Sequence, residues 1–190
     1  MFNRRITAGL LSGVVAVGLV LSAQTAGAIK AQDAAKVEAE AKATLAKFQT
    51  ATKGAEEVFA NAKGILVCPK ITKGGLIIGV ESGDCVLTKG APKPIYYGTS
   101  ALKGGLLAGI SWYSMILVLN TDEALAKFTS GKREWELGAG ASVAVAKSGS
   151  GLSLDTTNLR SAIVVFVFGE KGLIGDVSFE GSRFKKLEVK

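Results

Sequence analysis

The chain has 190 residues, with no histidine, two cysteines, 24 glycines, and 23 basic against 16 acidic side chains. That length suits one domain with a sizeable core, and the missing histidine excludes Ser-His and Cys-His catalysis and histidine-ligated metals. Glycine stands at roughly twice its usual ~7% beside only three prolines, so the glycines have a structural role and do not mark a disordered chain.

Asn3-Arg4-Arg5 forms a short cationic head, followed by the uncharged run ITAGLLSGVVAVGLVLSA from Ile6 to Ala23 and then by Ala26-Gly27-Ala28. A positive head, an apolar stretch and a small-x-small site make a secretory signal over residues 1–28, with cleavage near Ala28. A membrane anchor is the competing reading, since the run is just long enough to span. The small residues at its end favour cleavage. The expected product is one domain over residues 29–190, periplasmic or secreted, with a helical lead (29–62) and a β-rich body (63–190). The lead carries five lysines and five acids, so the whole positive excess of the mature chain lies in the body. Such a field attracts anionic surfaces and weakens with salt. Export makes nucleic acid a poor partner.

Residues 29–52 lack Gly and Pro and are rich in Ala, Lys and Glu, which predicts a helix. Ala34, Val37, Ala41, Leu45, Phe48 and Thr52 share one face, opposite Lys36, Glu40, Lys42, Lys47 and Lys53. The stripe suits packing on a sheet, or lying in a membrane interface between flanking lysines. Gly54 breaks the helix, and a second short one follows over 55–62.

After Gly64 the pattern changes to short apolar runs bounded by Gly, Pro, Asp or Ser. These predict strands near 65–68, 74–81, 84–88, 95–110, 114–119, 135–146, 162–168 and 172–180. One helix interrupts them, with Thr121 as N-cap, Asp122 and Glu123 in its first turn, and Leu125 and Phe128 facing inward. Residues 73–87 (KGGLIIGVESGDCVL) and 103–117 (KGGLLAGISWYSMIL) form an internal repeat, each copy reading as a hairpin opened by Lys-Gly-Gly. Recurrent glycines within strands mark coiling, bulges or close backbone approach. The fold class is therefore α+β: a strongly curved, glycine-rich, mostly antiparallel, barrel-like sheet covered by an N-terminal helix and one or two short ones.

Chemistry-bearing patterns are few. No glycine cluster stands between a strand and a helix as a phosphate loop requires, and no SxxK motif is present. Cys68 and Cys85, in apolar strand-like segments, read either as a disulfide between strands or as two buried thiols. Trp112-Tyr113 stand where the first repeat has Ser82-Gly83. They read as an aromatic hairpin tip at lipid head-group depth, or as rings capping the core. Basic residues recur at Lys70, Lys73 and Lys103 beside the glycine hairpins and at Arg183, Lys185 and Lys186 near the end. Gathered on one face they would form a site for anionic lipid.

The run A-K-G-I-L-V-C-P-K-I-T-K-G-G at 62–75 resembles the opening of the SYLF lipid-binding domain. Tyr96-Tyr97, the MILVLN run with T-x-E-A-L-x-K-F at 121–128, Trp135-x-Leu137-Gly138, and the segments at 166–173 and 177–182 continue the resemblance across residues 36–189. It departs at Cys68 and Cys85. The resemblance implies a non-enzymatic protein without cofactor or metal that binds phospholipid. Eukaryotic members bind phosphoinositides through an amphipathic N-terminal segment and basic residues, and some bind actin. For an exported member only the anionic phospholipid or membrane surface transfers. A cell-envelope module binding a protein or glycan is the alternative, and a histidine-free hydrolase the third.

Overall fold

The computed structural model describes residues 27–75, 78–104, 109–130, 134–137, 143–146, 161–169, 172–173 and 181–190. The expected leader and all but the last residues around its cleavage site lie outside these, as do the expected helix stop at Gly131 and most of the expected strand at 172–180.

Two helices lead, α1 (Ala31–Ala51) and α2 (Ala55–Asn61). Gly54 between them has φ 87°, a left-handed conformation that a side chain would strain. The strands are β1 (Ala28–Ile29), β2 (Gly64–Gly75), β3 (Ile78–Lys89), β4 (Ile95–Gly104), β5 (Gly109–Leu119), β6 (Glu134–Leu137), β7 (Val143–Ala146), β8 (Ile163–Gly169), β9 (Gly172–Leu173) and β10 (Ser182–Val189). Helix α3 (Asp122–Thr129) follows β5, and its N-cap Thr121 accepts the Ala124 N–H at 3.1 Å.

All ten strands form one sheet in the order β1-β10-β4-β3-β2-β5-β8-β7, with β6 also on β10 and β9 on β8. Every pairing is antiparallel except β1 with β10 and β7 with β8. The expected α+β class and its curved, mostly antiparallel sheet are what the molecule shows. Curvature follows from the inner cluster, where Leu137 of β6, Phe184 of β10, Tyr97 of β4 and Val165 of β8 meet although they come from distant parts of the strand order. Phe128 of α3 closes this inner side, 4.7 Å from Tyr97 and 5.1 Å from Trp135 between ring centres.

The outer face of the sheet carries α1 and α2. Tyr96 of β4 hydrogen-bonds Glu38 in the first half of α1, and the Phe48 ring near its end packs at a tilt with its centre 4.8 Å from that of Phe166 of β8. The helix therefore crosses the strands from β4 to β8. Its buried apolar residues Ala34, Val37, Ala41 and Phe48 all belong to the cluster packed on the sheet. The membrane-lying alternative for this helix is corrected on that ground, because its apolar face is already occupied by the core. Residues 115–119 of β5 and the whole of β8 are buried on both sides, which is why they read as unbroken apolar runs.

Strand boundaries differ from expectation in the repeat. Lys-Gly-Gly does not open a hairpin: β2 runs on through Gly74-Gly75, and β3 begins at Ile78. The expected strand at 95–110 is two strands, β4 and the start of β5. Strand β10, for which no strand was expected, holds five pairs with β4 and four with β6.

Candidate membrane-binding face

Strand β2 lies between β3 and β5 and yet contains Pro69, which lacks a backbone donor. A bulge accommodates it. The registers Val67↔Val86 and Lys70↔Asp84, and Cys68↔Met115 and Ile71↔Tyr113, each place one extra β2 residue here against both neighbours. The bulge also presses against β3, where a Cβ on Gly83 would stand 2.5 Å from the Lys70 carbonyl oxygen. Its consequence for side chains is a change of parity. Before it, Ile65 and Val67 face α1; after it, Ile71 points to the inner cluster and Lys70, Thr72 and Gly74 take the outer side.

Directly paired residues share a face, so the register lays out the outer surface in rows. The row nearest α1 holds Lys185, Gly98, Asp84 and Lys70. Beyond it come Arg183, Ser100, Ser82, Thr72 and Trp112. The next row is Leu102, Val80, Gly74 and Ile110, and the last includes Ile78. The helix covers none of the outer rows. Ile78 is 68% exposed, Val80 51%, Leu102 75%, Ile110 84% and Trp112 42%. Single exposed apolar residues are ordinary, whereas five adjacent ones on one face form a patch. The face thus grades from charged, through hydroxyl-bearing with one indole, to aliphatic at the end where β2 and β4 finish and β3 and β5 begin.

Between the flank of α1 and this face lies a groove of about 390 Å³. Glu40, Ala43, Thr44 and Lys47 form its helix wall, and Pro69, Lys70, Trp112, Ser114 and Phe168 its sheet side. The Ser114 hydroxyl donates to the Pro69 carbonyl at 2.7 Å and so ties β5 to the bulge.

The residues singled out from sequence separate accordingly. Lys70, Arg183, Lys185 and Trp112 share the outer face. Arg183 is held there by Glu134 and Glu136 of β6, at 3.4 and 3.5 Å. Lys73 and Tyr113 turn inward to the buried Glu81, whose carboxylate accepts the Tyr113 hydroxyl at 2.8 Å and stands 3.7 Å from the Lys73 ammonium. Burial, and then Glu81, push the Tyr113 hydroxyl far above its ordinary range. Trp112-Tyr113 is therefore not a hairpin tip but a mid-strand pair in which only Trp112 faces outward. Lys186 is exposed on the inner parity of β10, and Lys103 pairs across from Gly79 near the last residue of β4. Cys68 and Cys85 are joined as a disulfide, both fully buried. Sequence reasoning missed Lys47, which read as one of several helix-surface cations, and the exposed aliphatics, which read as strand interior.

Crowding by protein atoms, and secondarily Asp33 of α1, hold the Asp84 carboxyl above the usual carboxylate range. A folded-state value above the unfolded one favours the native state at acid pH, and that advantage is lost as pH rises from the ordinary aspartate range through the raised value. Asp84→Asn is therefore expected to be more stable than the parent at neutral pH, with the difference vanishing on acidification. Urea midpoints across that window test this, and a pH-independent difference would refute it.

Residues 100–188 match the Ysc84 family, described as Las17-binding protein actin regulator. The SH3 domain-containing YSC84-like protein 1 of Rattus norvegicus is 31% identical over 131 residues, 66% of this chain and 38% of that protein. Its Homo sapiens counterpart is 31% identical over 131 residues, 66% of this chain and 37% of that protein. The chain belongs to the SYLF family. It spans about two-fifths of the length of these curated relatives. SYLF membership supports a binding role rather than a catalytic one. Among the described residues no helix is long and apolar enough to cross a membrane, and no cluster of metal-ligating side chains occurs.

Proposed function

We propose that this SYLF domain is exported and associates peripherally with anionic phospholipid membranes through the uncovered end of its outer sheet face. The observation that carries this is the convergence of Ile78, Val80, Leu102 and Ile110 on one surface, with Trp112 and Lys70 behind them. Each aliphatic side chain moved from water into the acyl boundary contributes about 1.5–3 kcal/mol, from which the loss of free motion is subtracted. Trp112 stands at the level suited to head groups, and each lysine near an anionic surface adds about 1 kcal/mol. The apolar part supplies most of the affinity, and the cations supply the preference for anionic lipid.

Co-sedimentation with phosphatidylcholine vesicles containing increasing phosphatidylglycerol tests the reading. Binding is expected to rise several-fold with the anionic fraction and to fall, without vanishing, at high salt. Binding indifferent to both would leave the face to a protein partner. The family's description supports that class of partner in general terms.

A further inference from the structure

The groove beside α1 differs from the open face in being chemically two-sided. Lys47 on the helix wall and Lys70 on the sheet wall both line it, and among the described residues neither forms an ion pair. The acid on the same wall, Glu40, is turned to Lys36 at 3.9 Å. Beside the lysines the lining includes Pro69, Phe168 and Trp112, with Thr44 and Ser114 as its uncharged polar residues. From Trp112 the surface continues without a charged residue to Ile110, two positions along β5 on the same side. A cationic mouth, an aromatic floor and an aliphatic exit complement an amphiphile with one anionic head and an extended tail. The volume of about 390 Å³ falls within the range of ligand-sized pockets.

We infer that the groove holds a single glycerophospholipid molecule, its phosphate between Lys47 and Lys70 and its upper acyl chain running over Trp112 toward Ile110. This rests on the membrane-binding reading and sharpens it: the domain would take one lipid as a defined ligand and would not merely adsorb to a surface. Lysines serve here as point charges for phosphate. The groove wall formed by α1 makes the site a property of the folded helix-sheet junction, independent of any bilayer.

Dihexanoyl phosphatidylglycerol below its micellar concentration is the probe, with the indole N–H signals of Trp112 and Trp135 as reporters, assigned through Trp112→Phe. Trp135 belongs to the aromatic cluster with Phe128 and Phe184 on the opposite side, so it serves as an internal reference. Titration is expected to shift the Trp112 signal saturably at one lipid per chain and to leave Trp135 in place. Lys47→Glu and Lys70→Glu are each expected to weaken binding about tenfold, corresponding to about 1.4 kcal/mol. Both positions are exposed, so thermal unfolding is expected to be unchanged. Inorganic phosphate producing the same shift at the same affinity would reduce the site to a simple anion site and overturn the inference. So would an uncharged alkyl glucoside that binds equally well, or charge reversals that leave the affinity unmoved. Vesicle binding that survives while the monomeric lipid fails to bind would reject the groove alone and leave the face standing.

Discussion

Leu102→Asp combined with Ile110→Asp is expected to abolish vesicle binding, at least a hundredfold, while the protein remains folded. Removing two aliphatic side chains from the membrane forfeits about 3–6 kcal/mol. Two carboxylates facing an anionic surface add repulsion of about 1 kcal/mol each, by the same scale that makes a lysine favourable there. At about 1.4 kcal/mol per decade the sum exceeds two decades. Stability is expected to change little, because these side chains are 75% and 84% exposed and touch water rather than core. The residual penalty is the poor fit of aspartate to a strand, within about 1 kcal/mol. Gln49→Asp with Asn61→Asp places the same charge on exposed positions of α1 and α2, away from the face, and serves as the control. If both double variants lose binding equally, overall charge is the cause. If neither does, the uncovered face is not where the membrane sits. Vesicle co-sedimentation with a thermal melt on each sample distinguishes these outcomes.

The helices and the doubly buried strands were legible because their signals are local. Thr121 caps α3 as its hydroxyl predicts, and Phe48 points where a period of 3.6 sends it. Strand β10 was not legible. Its sequence SRFKKLEV packs only one large apolar side chain on each face, Phe184 on the inner side and Leu187 on the α1 side, and it is held instead by backbone pairing on both sides. Gly-Gly reads as a turn, but in a coiled sheet it also lets strands continue, and here β2 does so through Gly75. The candidate site was hidden for a related reason. Alternation shows that Lys70 and Lys73 lie on opposite faces, but which one shares the face with α1 depends on the extra residue at Pro69. A bulge is a relation between strands and leaves little trace in one of them. Placing Trp112 outward and Tyr113 inward required the register with Thr72 and Ile71.

The disulfide offers the second large effect, and it acts at that same bulge. Cys68→Ala with Cys85→Ala is expected to destabilise the domain by about 3 kcal/mol through loss of the cross-link over its 17-residue separation. That corresponds to a fall in Tm of roughly 6–12 °C for a chain of this size. The two sulfurs are fully buried among Leu66, Leu87 and Met115, so their removal also leaves unfilled volume that adds to the loss. The pairing of β2 with β3 on both sides of the bridge works the other way, since residual structure in the unfolded chain would shrink the entropic part. Reductant distinguishes the bond from the packing: it should lower the urea midpoint of the parent and leave that of the double variant unchanged. A parent indifferent to reductant under unfolding conditions would show that the bridge contributes nothing to stability. Because the bond lies where β2 switches parity, its loss should be felt most just beyond it. Amide exchange from Ile71 to Gly75 is expected to accelerate more than exchange in β8, which pairs with β5 on the far side of the bulge.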